Sequence, residues 1–211
     1  MKLLSYDSPF IQFLSRVGDI LILNLLFLLC SIPVVTVGAA QAGLFTALRV
    51  LQDKEDDSSC FKAFFRGFAA GFGKITVLWC VFLALLTLLI GNVIGTMFYQ
   101  YADPNAPVCM SIAALCIICL FETLITLFHS RFNCTMLQLV KNAGLLLIAY
   151  PARSVLALIV TWLPLAVFLL DAYLFMQLTP VLLLVYFSLA YSLTLRLVRK
   201  PFQRLIDAQN R

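Results

Sequence analysis

Apolar residues fill most of this chain in long runs that short polar stretches separate. Four runs, residues 75–99, 108–128, 148–170 and 179–198, each hold about 20 residues, the number that a helix needs to cross a bilayer core. The apolar positions show no period-two alternation, so the pattern predicts membrane-spanning helices and not barrel strands. Residues 101–107 and 171–179 are predicted to be short connections between these spans.

The first apolar region, residues 17–51, is too long for one straight span, and its pattern is interrupted between Ser31 and Gly38. Pro33 removes a backbone donor, and glycine loosens the backbone. Two interpretations fit. Either one span over about residues 17–36 is followed by a bent, partly buried helix, or the region forms a hairpin of two short helices. The chain then has five spans in the first case and six in the second.

Residues 58–73 are predicted to form an amphipathic helix that lies in the membrane interface. Phenylalanines recur there at helical spacing with basic residues between them, which favours an aromatic face in lipid and cations near lipid phosphate. The expected lipid contacts are Phe61, Phe64, Phe65, Phe68, Lys62 and Arg66. A helix that faces solvent and packs on the bundle is the alternative, and the two interpretations are compatible.

Composition places the whole chain in the membrane. Of the 211 residues, 63% are hydrophobic and 12% charged, with a mean hydropathy of +1.01, whereas soluble domains are about 45–50% apolar and about 25% charged. A water-soluble globular enzyme is therefore excluded. We expect one all-α, polytopic integral membrane bundle over residues 1–211, with the interfacial helix on its cytoplasmic side.

The positions of the basic residues predict the orientation of the bundle. Segments 49–74, 131–153 and 196–211 carry thirteen of the fifteen Lys and Arg residues, and the connections 99–108 and 171–179 carry none. By the positive-inside rule these three segments lie in the cytoplasm of a multi-pass cell-membrane protein, and so does the C-terminus. Because the cations flank apolar spans and form no patch, nucleic acid is not an expected partner.

Polar side chains at membrane depth are the candidate functional residues, since they are costly in lipid unless they are paired or used. Glu122 is the clearest case, with Thr126 one turn along the same helix face. Its carboxyl is interpreted either as a proton or cation site or as a structural group, paired with Arg153 or Lys141 or simply protonated. Asn24 and Asn92 are expected to hydrogen-bond between helices.

The sequence gives little support for a metal site, a nucleotide-binding loop, a catalytic nucleophile or a redox-active cysteine pair. The single histidine, His129, excludes a histidine-rich metal site, and no P-loop or nucleophile-elbow motif occurs. Cys116 and Cys119 have a redox-like spacing, but in an apolar run they are interpreted as small apolar residues. We expect no catalytic residues, no metal and no cofactor.

Two segments carry a family resemblance, namely Asn24–Ala40 with its Ser-Ile-Pro-Val-Val-Thr-Val-Gly stretch, and Phe61–Phe68. Both resemble the YesL family, small bacterial membrane proteins built on a domain of unknown function. The resemblance implies a non-enzymatic accessory role in carbohydrate uptake, with an ABC-type transporter permease as partner besides the lipid bilayer. A small-solute or ion-coupled transporter is the alternative. Pro33, Thr36 and Gly38 form the candidate contact segment, because a helix break at membrane depth normally lines a cavity or a partner.

Overall fold

The computed structural model describes residues 9–52, 59–98, 105–132 and 135–209, and every regular element in these ranges is helical. The α-helices are α1 (Pro9–Cys30), α2 (Val37–Gln52), α3 (Cys60–Gly71), α4 (Lys74–Phe98), α5 (Asn105–His129), α6 (Met136–Ala149), α7 (Pro151–Leu170), α8 (Ala172–Val181) and α9 (Phe187–Gln209). A short 3₁₀ turn, Val34–Thr36, precedes α2, and a π-helical segment, Leu182–Tyr186, joins α8 to α9. The all-α prediction is confirmed. Residue 58 and residues 101–104, where the interfacial helix and a connection were predicted, lie outside the described residues.

Within the described residues, five helical stretches are long and apolar enough to cross a bilayer. They are Val34–Gln52, Lys74–Thr96, Ala106–His129, Pro151–Phe168 and Ala172–Arg199. Four of them overlap the four apolar runs, and the chain is therefore a polytopic membrane bundle. The outer faces of these helices carry exposed Leu, Ile, Val and Phe side chains, as expected where lipid is the solvent.

The first apolar region differs from the prediction of a span over residues 17–36. Helix α1 ends at Cys30, and the next stretch apolar enough to span begins at Val34. Pro33 is extended, with φ −75° and ψ 112°, and it has no N–H to continue the helix. The Thr36 hydroxyl lies 2.6 Å from the Cys30 carbonyl oxygen, so it satisfies an acceptor that the break leaves open. The predicted break is thus present, and the largely buried α2 follows it.

The connection predicted over residues 171–179 is also shorter in the structure. Helix α7 ends at Leu170 and α8 begins at Ala172. The Asp171 carboxylate accepts hydrogen bonds from the backbone N–H groups of Tyr173 (2.9 Å) and Leu174 (3.1 Å). Because this side chain caps the new helix, a single residue is enough to end one helix and start the next.

Helices α2 and α3 form the tightest pair in the fold, because glycines let their backbones approach closely. A Cβ atom placed on Gly43 would stand 2.9 Å from the Phe64 carbonyl oxygen, and one on Gly71 would stand 2.8 Å from the Ala42 Cβ. Phe45 and Phe64, which are almost completely buried, fill the core beside this contact. Small residues at such contacts are the usual way in which membrane helices pack.

The start of α3 lies close to α1, and this proximity makes Cys60 a test of the fold. Burial raises the pKa of the Cys60 thiol, and the negative charge of Asp19 raises it further. In a variant that retains only Cys60, we expect the rate of alkylation by iodoacetamide to rise at higher pH than the rate for glutathione, since the thiolate is the reacting form. Asp19→Asn should shift this pH profile part of the way toward that of glutathione, because it removes the negative charge of Asp19 and leaves the burial of Cys60 unchanged. A profile that coincides with that of glutathione would contradict the contact between α1 and α3.

Candidate functional site

Glu122 lies inside the bundle without a cationic partner among the described residues. Its side chain is 4% exposed, and its Oε1 accepts a hydrogen bond from the Thr126 hydroxyl at 3.4 Å. Its Oε2 has no hydrogen-bond partner in the described part of the chain. The Tyr191 side chain lies near enough to interact with it electrostatically. The interpretation that this carboxyl pairs with Arg153 or Lys141 is not supported in the described residues, because Thr126 is the partner of Oε1 and Oε2 has none; the Arg153 guanidinium lies over the Tyr150 ring, 5.6 Å from its centre.

Of the other polar candidates, Thr126 contacts Glu122, whereas Asn24 and Asn92 form hydrogen bonds between helices, as was predicted for both. The Asn92 amide on α4 donates to the Ser111 hydroxyl on α5 at 2.7 Å. Trp162 on α7 donates to the Thr123 hydroxyl on α5 at 2.9 Å. The five predicted polar residues therefore do not form one site.

The Asn24 side chain forms two hydrogen bonds with the backbone at the π-helical segment, and we call this pair of bonds the Asn24 clasp. Its side chain is fully buried, its Nδ2 donates to the Leu183 carbonyl oxygen at 2.6 Å, and its Oδ1 accepts from the Ser188 N–H at 3.1 Å. These two backbone groups are five residues apart, the separation that a π turn brings together. The Asn24 carboxamide thus bridges two backbone groups of this helical stretch, and it joins α1 to the π-helical segment and to α9.

The helix-break segment is anchored on α4. The Trp79 indole N–H donates to the Val34 carbonyl oxygen at 2.7 Å. Gly38 is buried so closely against α4 that a Cβ there would stand 2.8 Å from the Trp79 Cβ. Pro33 is exposed, whereas Thr36 closes the end of α1. Of the three predicted contact residues, therefore, two stabilise the break itself and Pro33 is available to a partner.

A cavity of about 420 Å³ opens beside this break, and we call it the central cavity. Residues of α1, α2, α4, α7, α8 and α9 form its wall. The wall is mainly aromatic, with Phe27, Trp79, Trp162, Phe168, Phe175 and Phe187 among its residues. A concave, largely apolar space of this volume with a few polar groups has the properties of a small-molecule site.

Three polar side chains line the central cavity, namely Gln41, Thr161 and Tyr191. Gln41 is 5% exposed, its side chain lies near the Tyr191 side chain in the cavity wall, and its Oε1 has no partner among the described residues. The Thr161 hydroxyl lies 3.4 Å from the Thr194 hydroxyl. Sequence reasoning missed this group, although a lone glutamine within a run of small residues was a visible sign of it.

Helix α3 has one buried and one exposed face. The prediction that Phe64 contacts lipid is wrong, since its ring is fully buried and packs near Gly43. Phe61 and Phe65 are exposed, their rings 5.0 Å apart, and Phe68 is half-buried. The basic side chains Lys62 and Arg66 are exposed beside them, so the outward face of α3 is aromatic and basic.

A smaller pocket of about 230 Å³ lies where α2, α3 and the end of α5 meet, and three arginines line it, Arg49, Arg66 and Arg131. The Arg49 guanidinium donates to the Ser130 carbonyl oxygen at 2.7 Å, which ties α2 to the end of α5. Neither in this pocket nor in the rest of the described residues do three His, Cys, Asp or Glu side chains form a group that could hold a metal ion.

Comparison with known protein families matches residues 20–93 to the family described as "Protein of unknown function, DUF624". The matched segment runs from α1 into α4, and it includes the helix break, the α2–α3 pair, Gln41 and Trp79. Comparison with curated proteins and with solved structures gives no match. The match covers about a third of the chain and supports the resemblance that the sequence suggested, because residues 20–93 are similar to DUF624, the domain of unknown function in the YesL-like family.

Proposed function

We propose that this chain is a non-enzymatic accessory protein of a carbohydrate-uptake system in the cell membrane, and that it acts by contact with an ABC-type transporter permease. The observation that carries this proposal is the two-faced helix α3. One face is held against α2 through Gly43, Gly67 and Gly71, and the opposite face presents Phe61 and Phe65.

A rigid aromatic and basic surface suits binding to another membrane component at the interface. Aromatic and arginine side chains are enriched among the residues that dominate binding energies, and Lys62 and Arg66 also suit the lipid phosphate layer. Because α3 is already fixed by its packing on α2, a partner would order little additional chain on binding. By the positive-inside rule, this surface and the C-terminus lie on the cytoplasmic side.

Hydrogen bonds between helices also favour an accessory role over transport. The hydrogen bonds of Asn24, Asn92 and Thr123 join neighbouring helices, and such bonds stabilise the association of membrane helices. They are spread over different helix pairs and do not form a polar path. The link to carbohydrate uptake rests on the family resemblance alone.

Capture from native membranes tests the proposal. The tagged chain, extracted in mild detergent, is expected to bring a carbohydrate transporter permease with it in stoichiometric amount, as measured by mass spectrometry. The double variant Phe61→Ser/Phe65→Ser should recover roughly tenfold less permease, since two exposed anchors are lost. The matched control is Phe98→Ser, which should leave the recovery of permease unchanged. Phe98 is also an exposed phenylalanine, but it lies at the end of α4 that is remote from α3.

Recovery of the chain alone as a monodisperse species would overturn the accessory role, and so would solute uptake by proteoliposomes that contain only this chain. In the second case a small-solute or ion-coupled transporter becomes the function. The observation that favours it is Glu122, a buried carboxyl whose Oε2 has no partner in the described residues. Glu122→Gln should then abolish flux without loss of the folded protein.

A further inference from the structure

The central cavity contains a hydrogen-bonding group that the fold leaves unused. Gln41 is 95% buried, since its exposed fraction is 5%; the Tyr191 side chain lies near its carboxamide, and Oε1 has no partner in the part of the chain that the structure describes. Native proteins pair nearly all such buried groups, with protein, water or a ligand. Because the carboxamide lies in the wall of a cavity large enough for a small molecule, a ligand is a suitable partner for it.

The walls select against charged and against strongly polar ligands. None of the lining residues that the structure describes is charged, so a carboxylate or phosphate would enter without a counter-ion. A free sugar would leave most of its hydroxyl groups unpaired against aromatic walls, because only Gln41, Thr161 and Tyr191 offer polar side chains. An apolar body, by contrast, fits against Trp79, Phe187 and the other rings.

A hydroxyl is the polar end that best fits Gln41. A carboxamide offers an acceptor at one end and donors at the other, and a hydroxyl group both donates and accepts. The unused end of the Gln41 side chain is the acceptor Oε1, so it requires a donor, which a hydroxyl group supplies and an ether does not. The Thr161 hydroxyl lines the same cavity and offers a second polar contact.

We propose that the central cavity binds an uncharged, lipid-like molecule with an apolar body and one hydroxyl end, and that Gln41 holds the hydroxyl. The site is built jointly by the DUF624 segment, which supplies Gln41 and Trp79, and by α7 to α9, which lie beyond it. The proposal is independent of the accessory role, since it concerns a cavity and not the exposed face of α3.

The chain provides its own reporter, because both of its tryptophans, Trp79 and Trp162, line the central cavity. Bromine atoms quench indole fluorescence on contact. The protein in nanodiscs of saturated phosphatidylcholine is titrated with dibromostearyl alcohol and, separately, with the methyl ether of that alcohol. We expect saturable quenching by the alcohol and about tenfold weaker binding of the ether, the difference that one lost hydrogen bond corresponds to.

Gln41→Leu should make alcohol and ether equivalent, whereas Gln177→Leu, on an exposed position of α8, should keep the tenfold difference. Quenching that rises without saturation and equally for both probes would overturn the proposal, because it reports only partition into the bilayer. If Gln41→Leu does not yield folded protein, Leu165→Phe provides the test by narrowing the cavity. Loss of saturable quenching in that variant supports the site, and unchanged quenching overturns it.

Discussion

Replacement of Gly67 by leucine is expected to lower the free energy of unfolding by about 3 kcal/mol. A Cβ at this position would stand 2.5 Å from the Thr46 Oγ1, 2.6 Å from the Thr46 Cβ and 3.0 Å from the Ala42 carbonyl oxygen. Overpacking a core costs about 1–3 kcal/mol, and here a whole isobutyl group would meet backbone that moves only if α2 and α3 separate. The melting temperature, followed by size-exclusion chromatography after heating, measures the loss.

Gly91→Leu is the matched control for this prediction. Gly91 lies in α4, and nothing stands within 4 Å of the position that its Cβ would take. Leucine is a better helix former than glycine by up to about 1 kcal/mol, so we expect this variant to melt at or above the temperature of the unaltered protein. Equal melting temperatures for Gly67→Leu and the unaltered chain would contradict the close approach of α2 and α3.

Replacement of Asn24 by leucine is expected to cost about 2 kcal/mol. Hydrogen bonds between membrane helices are worth about 0.6 kcal/mol on average and at most about 1.7, but Asn24 serves two backbone groups, at Leu183 and Ser188. Leaving buried groups unpaired adds a cost of about 1–3 kcal/mol. Denaturation in mixed micelles measures the loss, and Asn142→Leu, on a half-buried position of α6, serves as the control.

The result for Asn24→Leu also distinguishes two behaviours of the π-helical segment. If the segment relaxes to a regular α-helix, the Ser188 N–H would bond the carbonyl four residues before it, and the loss would not exceed that of one average hydrogen bond between helices, about 0.6 kcal/mol. Such a small loss would show that the clasp does not hold α1. A loss near 2 kcal/mol would show that the π-helical segment does not relax, and that the Leu183 and Ser188 backbone groups stay unpaired when Asn24 is removed.

The spans of the fold could be predicted from the sequence because lipid imposes a length on every crossing helix. The runs over residues 75–99 and 108–128 correspond closely to α4 and α5. The break at Pro33 was predictable as well, because proline lacks the donor that a helix needs. The error at residues 171–179 arose because hydropathy does not register a cap, and Asp171 alone is enough to start α8.

The candidate site could be predicted only in part, because it depends on which helices meet. Glu122 and both asparagines were identified from their polarity at membrane depth, but the partners of Asn24 lie 159 and 164 residues away along the chain and could not be predicted. The central cavity requires α2 and α7 to α9 to come together around Gln41, and no local pattern encodes that arrangement. Phe64 was misplaced for the same reason, since phenylalanines occur on both faces of α3 and their spacing alone does not show which face packs on α2.

The clasp between Asn24 and Leu183 has a consequence for how the chain is made. The two residues are 159 positions apart, so at about 5–20 residues per second the ribosome completes the second partner roughly 8–30 s after the first. The α2–α3 pair lies within one short stretch of chain and is free to assemble during that interval. Helix α1 is therefore synthesised long before the backbone groups that Asn24 bonds, and the contact that secures it forms late in biogenesis.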